Sequence, residues 1–191
     1  MENFIEVLKE SERIFHKCTG ESLCKEDIEI LVKLNNPRII LELYKLKGLK
    51  VRYPELEKVL FSNKLEGLKY CTLFKNLRFE KFEQFIIYNK SVKYILEYHE
   101  RKFSNNVWEE AERAIISSSP YGFYIYLSRL DRDSLKREDK ERLEELLLEF
   151  NKPRLMFYYI ILIEKSRVEK FEPSILAHKK VREYYLGCLK D

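Results

Sequence analysis

The chain has 191 residues, carries 36 Lys and Arg against 32 Asp and Glu for a net charge of +4, and is 45% apolar and 36% charged. That balance describes one soluble domain. Its 5 Gly and 5 Pro are too few for the glycine-rich loops of a Rossmann fold, a P-loop or a tight β-sandwich, and its longest charge-free run, 114–128, falls short of the about 18 apolar residues that a membrane span needs.

The start, Met1-Glu2-Asn3-Phe4-Ile5-Glu6, has neither the basic nor the apolar region of a secretory leader. Cys18, Cys24, Cys71 and Cys188 lie far apart with no C-x-x-C pair, which predicts reduced, mostly buried thiols and a cytoplasmic location. Residues 3–16 read as one amphipathic helix and Thr19-Gly20-Glu21-Ser22 as a loop, so residues 1–24 form an N-terminal cap.

From residue 25 to 191 a repeat takes over as one continuous array. Tyr44, Arg52 and Glu57 are spaced as Tyr-x7-Arg-x4-Glu, and the same spacing returns at Tyr70, Arg78 and Glu83 and at Tyr159, Arg167 and Glu172. Val107-Trp-Glu-Glu-Ala-Glu112 fits once Arg becomes Val, and Asp27-Ile-Glu29 and Arg142-Leu-Glu144 are degenerate members. The glutamates Glu29, Glu57, Glu83, Glu112, Glu144 and Glu172 therefore step by 28, 26, 29, 32 and 28. Between them stand Asn35-Asn36-Pro37, Ser62-Asn63, Asn89, Ser118-Ser119-Pro120 and Asn151-Lys152-Pro153. Such pairs begin helices, because Asn or Ser caps orphan amides and Pro at the first position loses no hydrogen bond.

Each repeat thus reads as two short helices, A with the Arg and Glu, B with a tyrosine such as Tyr44, Tyr70, Tyr94, Tyr126, Tyr159 or Tyr185. Neither can bury its apolar stripe alone, so hairpins must stack. The expected fold is all-α: a single-domain α-solenoid of about six helical hairpins of roughly 26–32 residues, right-handed by analogy with other hairpin repeats. The insertion 131–142 predicts a charged connection with a helix start at Asp133 or Ser134, and Pro173 should kink or shorten the last helix A.

Val107-Trp108-Glu109-Glu110-Ala111-Glu112, with Ser118-Ser119-Pro120 and the tyrosine-rich 121–126, resembles the degenerate short helical repeats of tailed-phage and bacterial proteins. The resemblance covers roughly residues 25–189. It implies the fold and a phage origin, which would make the protein an accessory factor that inhibits a host protein in the host cytoplasm. It brings no catalytic residues.

An Arg and a Glu five apart do not share a helix face, so the recurring Arg and Glu are expected to bridge separately to neighbouring repeats and the tyrosines to pack between them. Residues 33–81 hold 12 basic against 5 acidic groups, and a basic edge over residues 43–81 makes binding to a nucleic-acid backbone the alternative reading. His16, Cys18 and Cys24 match no zinc spacing, and His99 and His178 have no assignable nucleophile. No enzyme, cofactor, metal or small-molecule substrate is expected. The leading expectation is a non-catalytic scaffold that binds a protein partner, with contacts at Lys45, Lys47, Lys50, Lys75, Arg101 and Trp108. End-to-end self-assembly is a third expectation.

Overall fold

The structure is a computed structural model that describes residues 2–18, 22–103 and 106–188. The described residues form thirteen α-helices and no strand. The loop expected at 19–22 lies, apart from Ser22, outside them.

The chain divides into two compact units, one ending at Phe85 and the other beginning at Ile86. The first holds α1 (Glu2–Lys17), α2 (Lys25–Leu34), α3 (Pro37–Leu46), α4 (Pro54–Phe61) and α5 (Lys64–Leu73), followed by α6 (Glu80–Tyr88) at its end. The second holds α7 (Val92–Lys102), α8 (Glu109–Ser118), α9 (Pro120–Arg129), α10 (Arg137–Phe150), α11 (Pro153–Tyr159), α12 (Glu172–Ala177) and α13 (Lys179–Cys188).

The helix starts follow from the turn residues. Asn36 accepts hydrogen bonds from the amides of Arg38 (3.1 Å) and Ile39 (3.3 Å) just before Pro37. Asn63 does the same for Leu65 and Glu66, and Ser119 for Gly122 ahead of Pro120. Asn35 and Asn151 close the preceding helices in the left-handed region, at φ 49° and 44°, a conformation that Asn tolerates best after Gly.

Packing is between near neighbours in sequence, as in a helical-hairpin repeat. In the first unit α4 pairs with α5, while α2 packs on α4 and α3 on α5. In the second, α8 pairs with α9, α10 with α11 and α12 with α13; α8 packs on α10, and α7, α9, α11 and α13 follow one another. The second unit is thus two layers, an A layer of α8, α10 and α12 and a B layer of α7, α9, α11 and α13. Gly122 permits the α7–α9 approach, since a Cβ there would stand 2.5 Å from Val92 Cγ1.

Three local expectations change. The insertion holds a 3-10 turn, Arg132–Ser134, capped by Asp131, and α10 starts only at Arg137. Pro173 lies in the first turn of α12, where no amide bond is lost, so it opens the helix instead of kinking it. The buried tyrosine of α7 is Tyr98, one turn beyond the half-buried Tyr94. Cys18 and Cys71 are buried and Cys24 and Cys188 exposed, and none of the four is in a disulfide. No described helix is long and apolar enough to cross a membrane.

Candidate functional site

The repeating charged residues are spent on packing. Arg52 stands in extended chain ahead of the N-terminus of α4, with Tyr53 as N-cap and Pro54 at N1. From there it folds over the first turn and grips Glu57 with two bonds of 2.6 and 3.1 Å. Tyr70 of α5 donates to the same carboxylate at 2.9 Å. Arg78 and Glu83 pair the same way, as do Arg167 and Glu172, which also accepts from Tyr185 at 2.8 Å. The expectation of separate bridges to neighbouring repeats fails for these three pairs, because the Arg precedes the helix and the five-residue spacing does not have to follow its pitch. The real unit is Glu on helix A and Tyr on the helix B that follows.

Where the Arg is missing, a neighbour replaces it. Val107 holds the place of Arg52, and Glu112, with no exposed surface, is gripped by Arg142 of α10 and accepts from Tyr126 at 2.9 Å. Burial pushes the Glu112 carboxyl up against the opposing pull of Arg142 and the Tyr126 hydroxyl. Glu144 likewise takes Lys170 at 2.5 Å and Tyr159 at 3.1 Å. Burial also raises the phenols: Tyr44 and Tyr185 are pushed up to about 12, and Tyr70, Tyr126 and Tyr159 rise as well. Tyr44 donates to the Val51 carbonyl at 3.1 Å and meets the Tyr70 ring edge-on at 4.8 Å.

The contact residues expected from sequence scatter. Lys45 lies 3.7 Å from Glu42, Lys47 sits over the Phe15 ring at 4.7 Å, and Lys50, Lys75 and Arg101 are exposed. Trp108 is a core residue, 1% exposed, stacked on Phe103 at 4.8 Å and near Tyr98 at 5.4 Å. It is therefore no surface contact; it stands where the buried Phe79 stands in its own repeat. Along the 43–81 edge, Arg52, Arg78 and Lys81 do meet around a hollow of about 290 Å3, but Glu57 and Glu80 line it too. Its two arginines are already held by Glu57 and Glu83. Among the described residues no three His, Cys, Asp or Glu side chains gather as metal ligands.

A different surface stands out in the B layer of the second unit. Between α11 and the start of α13 lies a pocket of about 520 Å3 lined by Arg154, Phe157, Tyr158, Lys180 and Tyr184, with His178 and Val181. No carboxylate lines it, and neither Arg154 nor Lys180 has an ion-pair partner among the described residues. Arg154 lies over the Tyr158 ring at 5.9 Å. His178 Nδ1 accepts from the Val181 amide at 3.4 Å, so that in the neutral ring the other nitrogen carries the proton. Tyr158 meets Tyr124 at 5.1 Å, and Tyr124 stacks on Tyr121 at 6.4 Å. Tyr121 and Tyr184 are 70% and 69% exposed, so the rings form an open aromatic row from α9 to α13.

The two layers also differ in charge. Helices α8, α10 and α12 carry ten carboxylates against Arg113, Arg137, Lys140 and Arg142. Helices α7, α9, α11 and α13 carry Lys93, Arg101, Lys102, Arg129, Arg154, Lys179, Lys180 and Arg182 against Glu97, Glu100 and Glu183, and α9 and α11 carry no acid at all. Sequence reading noticed the tyrosines of 121–126 but not this asymmetry, whose signal is the lack of any acid in Pro120–Arg129 and Pro153–Tyr159. The chain matches no protein-family model, no curated protein and no solved structure.

Proposed function

We propose that this chain is a non-catalytic helical-repeat module that binds a protein partner through the B layer of its second unit. The observation that carries this reading is the acid-free pocket with unpaired cations beside an open row of tyrosines. Tyr, Phe and Arg are the side chains that anchor protein interfaces, and acids are depleted at their cores. Single exposed aromatics are ordinary on a protein surface, but a contiguous aromatic patch marks an interaction site. The buried Glu, Tyr and Arg sets support a scaffold role, since their hydrogen bonds are consumed by packing. The phage-type resemblance favours a host protein as partner, with inhibition as the outcome of binding.

The test is a pull-down from bacterial lysate, with and without nuclease, comparing the native chain with a Tyr121→Ala/Tyr184→Ala variant. A stoichiometric protein that survives nuclease and is lost with the variant is the expected result. Recovery of nucleic acid alone, or equal capture by both forms, overturns the reading.

A further inference from the structure

We infer that the pocket between α11 and α13 is a socket for an acidic, aromatic-bearing peptide segment of the partner, its ring seated between Tyr158 and Tyr184 and its carboxylates on Arg154 and Lys180. The inference rests on the binding-module reading and specifies the partner's chemistry. The floor is apolar, from Phe157 and the buried Val181, and the rim is cationic, from Arg154 and Lys180. An apolar floor favours a side chain that fills it, and an uncompensated cationic rim favours anions.

The placement of the cations selects a peptide over a nucleic-acid strand. A phosphate backbone needs cations repeated along a track, with aromatic platforms between them. Among α9, α11 and α13, the cations without a carboxylate partner are those of α11 and α13. The one cation of α9, Arg129, is held by the Leu96 carbonyl at 2.9 Å and by Glu100 at 3.3 Å. Lys152, just ahead of α11, is held by the Ile116 carbonyl at 2.9 Å. Helix α9 therefore presents Tyr121 and Tyr124 with no free cation of its own, which suits a mixed apolar and polar protein surface, and the anionic demand of the row centres on α11 and α13.

The experiment is fluorescence anisotropy of the full chain with three labelled probes at low salt: the peptide Glu-Glu-Tyr-Glu-Glu, the peptide Glu-Glu-Ala-Glu-Glu, and a twelve-residue oligothymidylate. The tyrosine peptide should bind at about 10–100 μM, the alanine peptide about tenfold more weakly. Arg154→Glu and Lys180→Glu, each at an exposed position, should each weaken the tyrosine peptide by about tenfold, and Arg38→Glu in the first unit should leave it unchanged. Equal affinity of the two peptides, indifference to both charge reversals, or no binding up to about 1 mM overturns the socket. Tighter binding of the oligothymidylate that is lost with the same reversals overturns it in favour of a nucleic acid. If the pull-down partner is still lost with Tyr121→Ala/Tyr184→Ala while the peptides fail, the socket falls and the binding module stands.

Discussion

The α4–α5 and α8–α9 hairpins bury the same carboxylate by different routes. In α4–α5 the cation is local: Arg52, five residues before Glu57 and 37% exposed, closes over the helix start and also lies 4.4 Å from the Phe79 ring. In α8–α9 the cation comes from 30 residues later, because Val107 occupies the local place and Arg142 reaches across from α10. What does not change is the bond from the following helix, Tyr70 to Glu57 and Tyr126 to Glu112. The fixed element of this repeat is therefore the Glu and Tyr pair, and the neutralising cation is interchangeable as long as one arrives, since a buried carboxylate without a partner is strongly destabilising.

The largest expected effect is on Arg142→Ala, which strands a fully buried carboxylate and should cost about 3–5 kcal/mol in urea unfolding. Arg52→Ala should cost only about 1–2 kcal/mol, because solvent reaches that arginine and screens what is lost. Equal losses would break the comparison. Adding Val107→Arg to Arg142→Ala restores the local geometry of α4–α5 and should recover about half of the loss; no recovery would show that the two positions are not equivalent.

Next come the tyrosines. Tyr126→Phe should cost about 2–3 kcal/mol, since the Tyr126 hydroxyl also accepts from the Trp108 amide at 2.9 Å and its removal leaves that buried N–H unpaired. Tyr70→Phe should cost about 1–2 kcal/mol for one hydrogen bond to a carboxylate.

A smaller effect concerns pH. Burial holds the His99 imidazole below its ordinary 6.5, where Nε2 meets the Asn106 carbonyl at 2.6 Å and Nδ1 has no partner. The unfolded chain then binds the proton first, so the stability from neutral His99 is complete above about pH 6.5 and is lost as pH falls through the lowered folded value. Urea midpoints measured between pH 7.5 and 5 should fall less for His99→Phe than for the native chain. The smallest effect belongs to the pocket: Arg154→Ala and Lys180→Ala should change stability by no more than about 0.5 kcal/mol, as their side chains are exposed and unpaired.

The fold was legible where a residue acts on its own neighbours. Asn36, Asn63 and Ser119 cap helices within three residues of themselves, and Asn36-Pro37 and Ser119-Pro120 mark the starts of α3 and α9. The partner of each glutamate was harder to read. The distance from Glu to Tyr runs 13, 14, 15 and 13 residues at Glu57, Glu112, Glu144 and Glu172, because the connection between helices varies, whereas the fixed Tyr-x7-Arg spacing links a tyrosine to the next repeat. Trp108, a contact candidate only if exposed, is buried, as its repeat position, that of the buried Phe79, already implies. The pocket was not legible, since Arg154 lies on α11 while Lys180 and Tyr184 lie on α13, brought together only by the packing of the two helices, and its defining property is that no lining residue is an acid.

The carboxylates of the second unit form a one-way relay: Glu112 relies on Arg142 and Glu144 on Lys170, each supplied by the following hairpin, until Glu172 closes the series with its own Arg167. Such an arrangement has an evolutionary direction. A hairpin like α4–α5, which brings its own arginine, can be duplicated or lost as a separate piece, but deletion of α10–α11 would leave its predecessor with an orphaned charge. Any rearrangement that swaps hairpins of the second unit therefore has to carry the donor of one repeat together with the acceptor of the repeat before it.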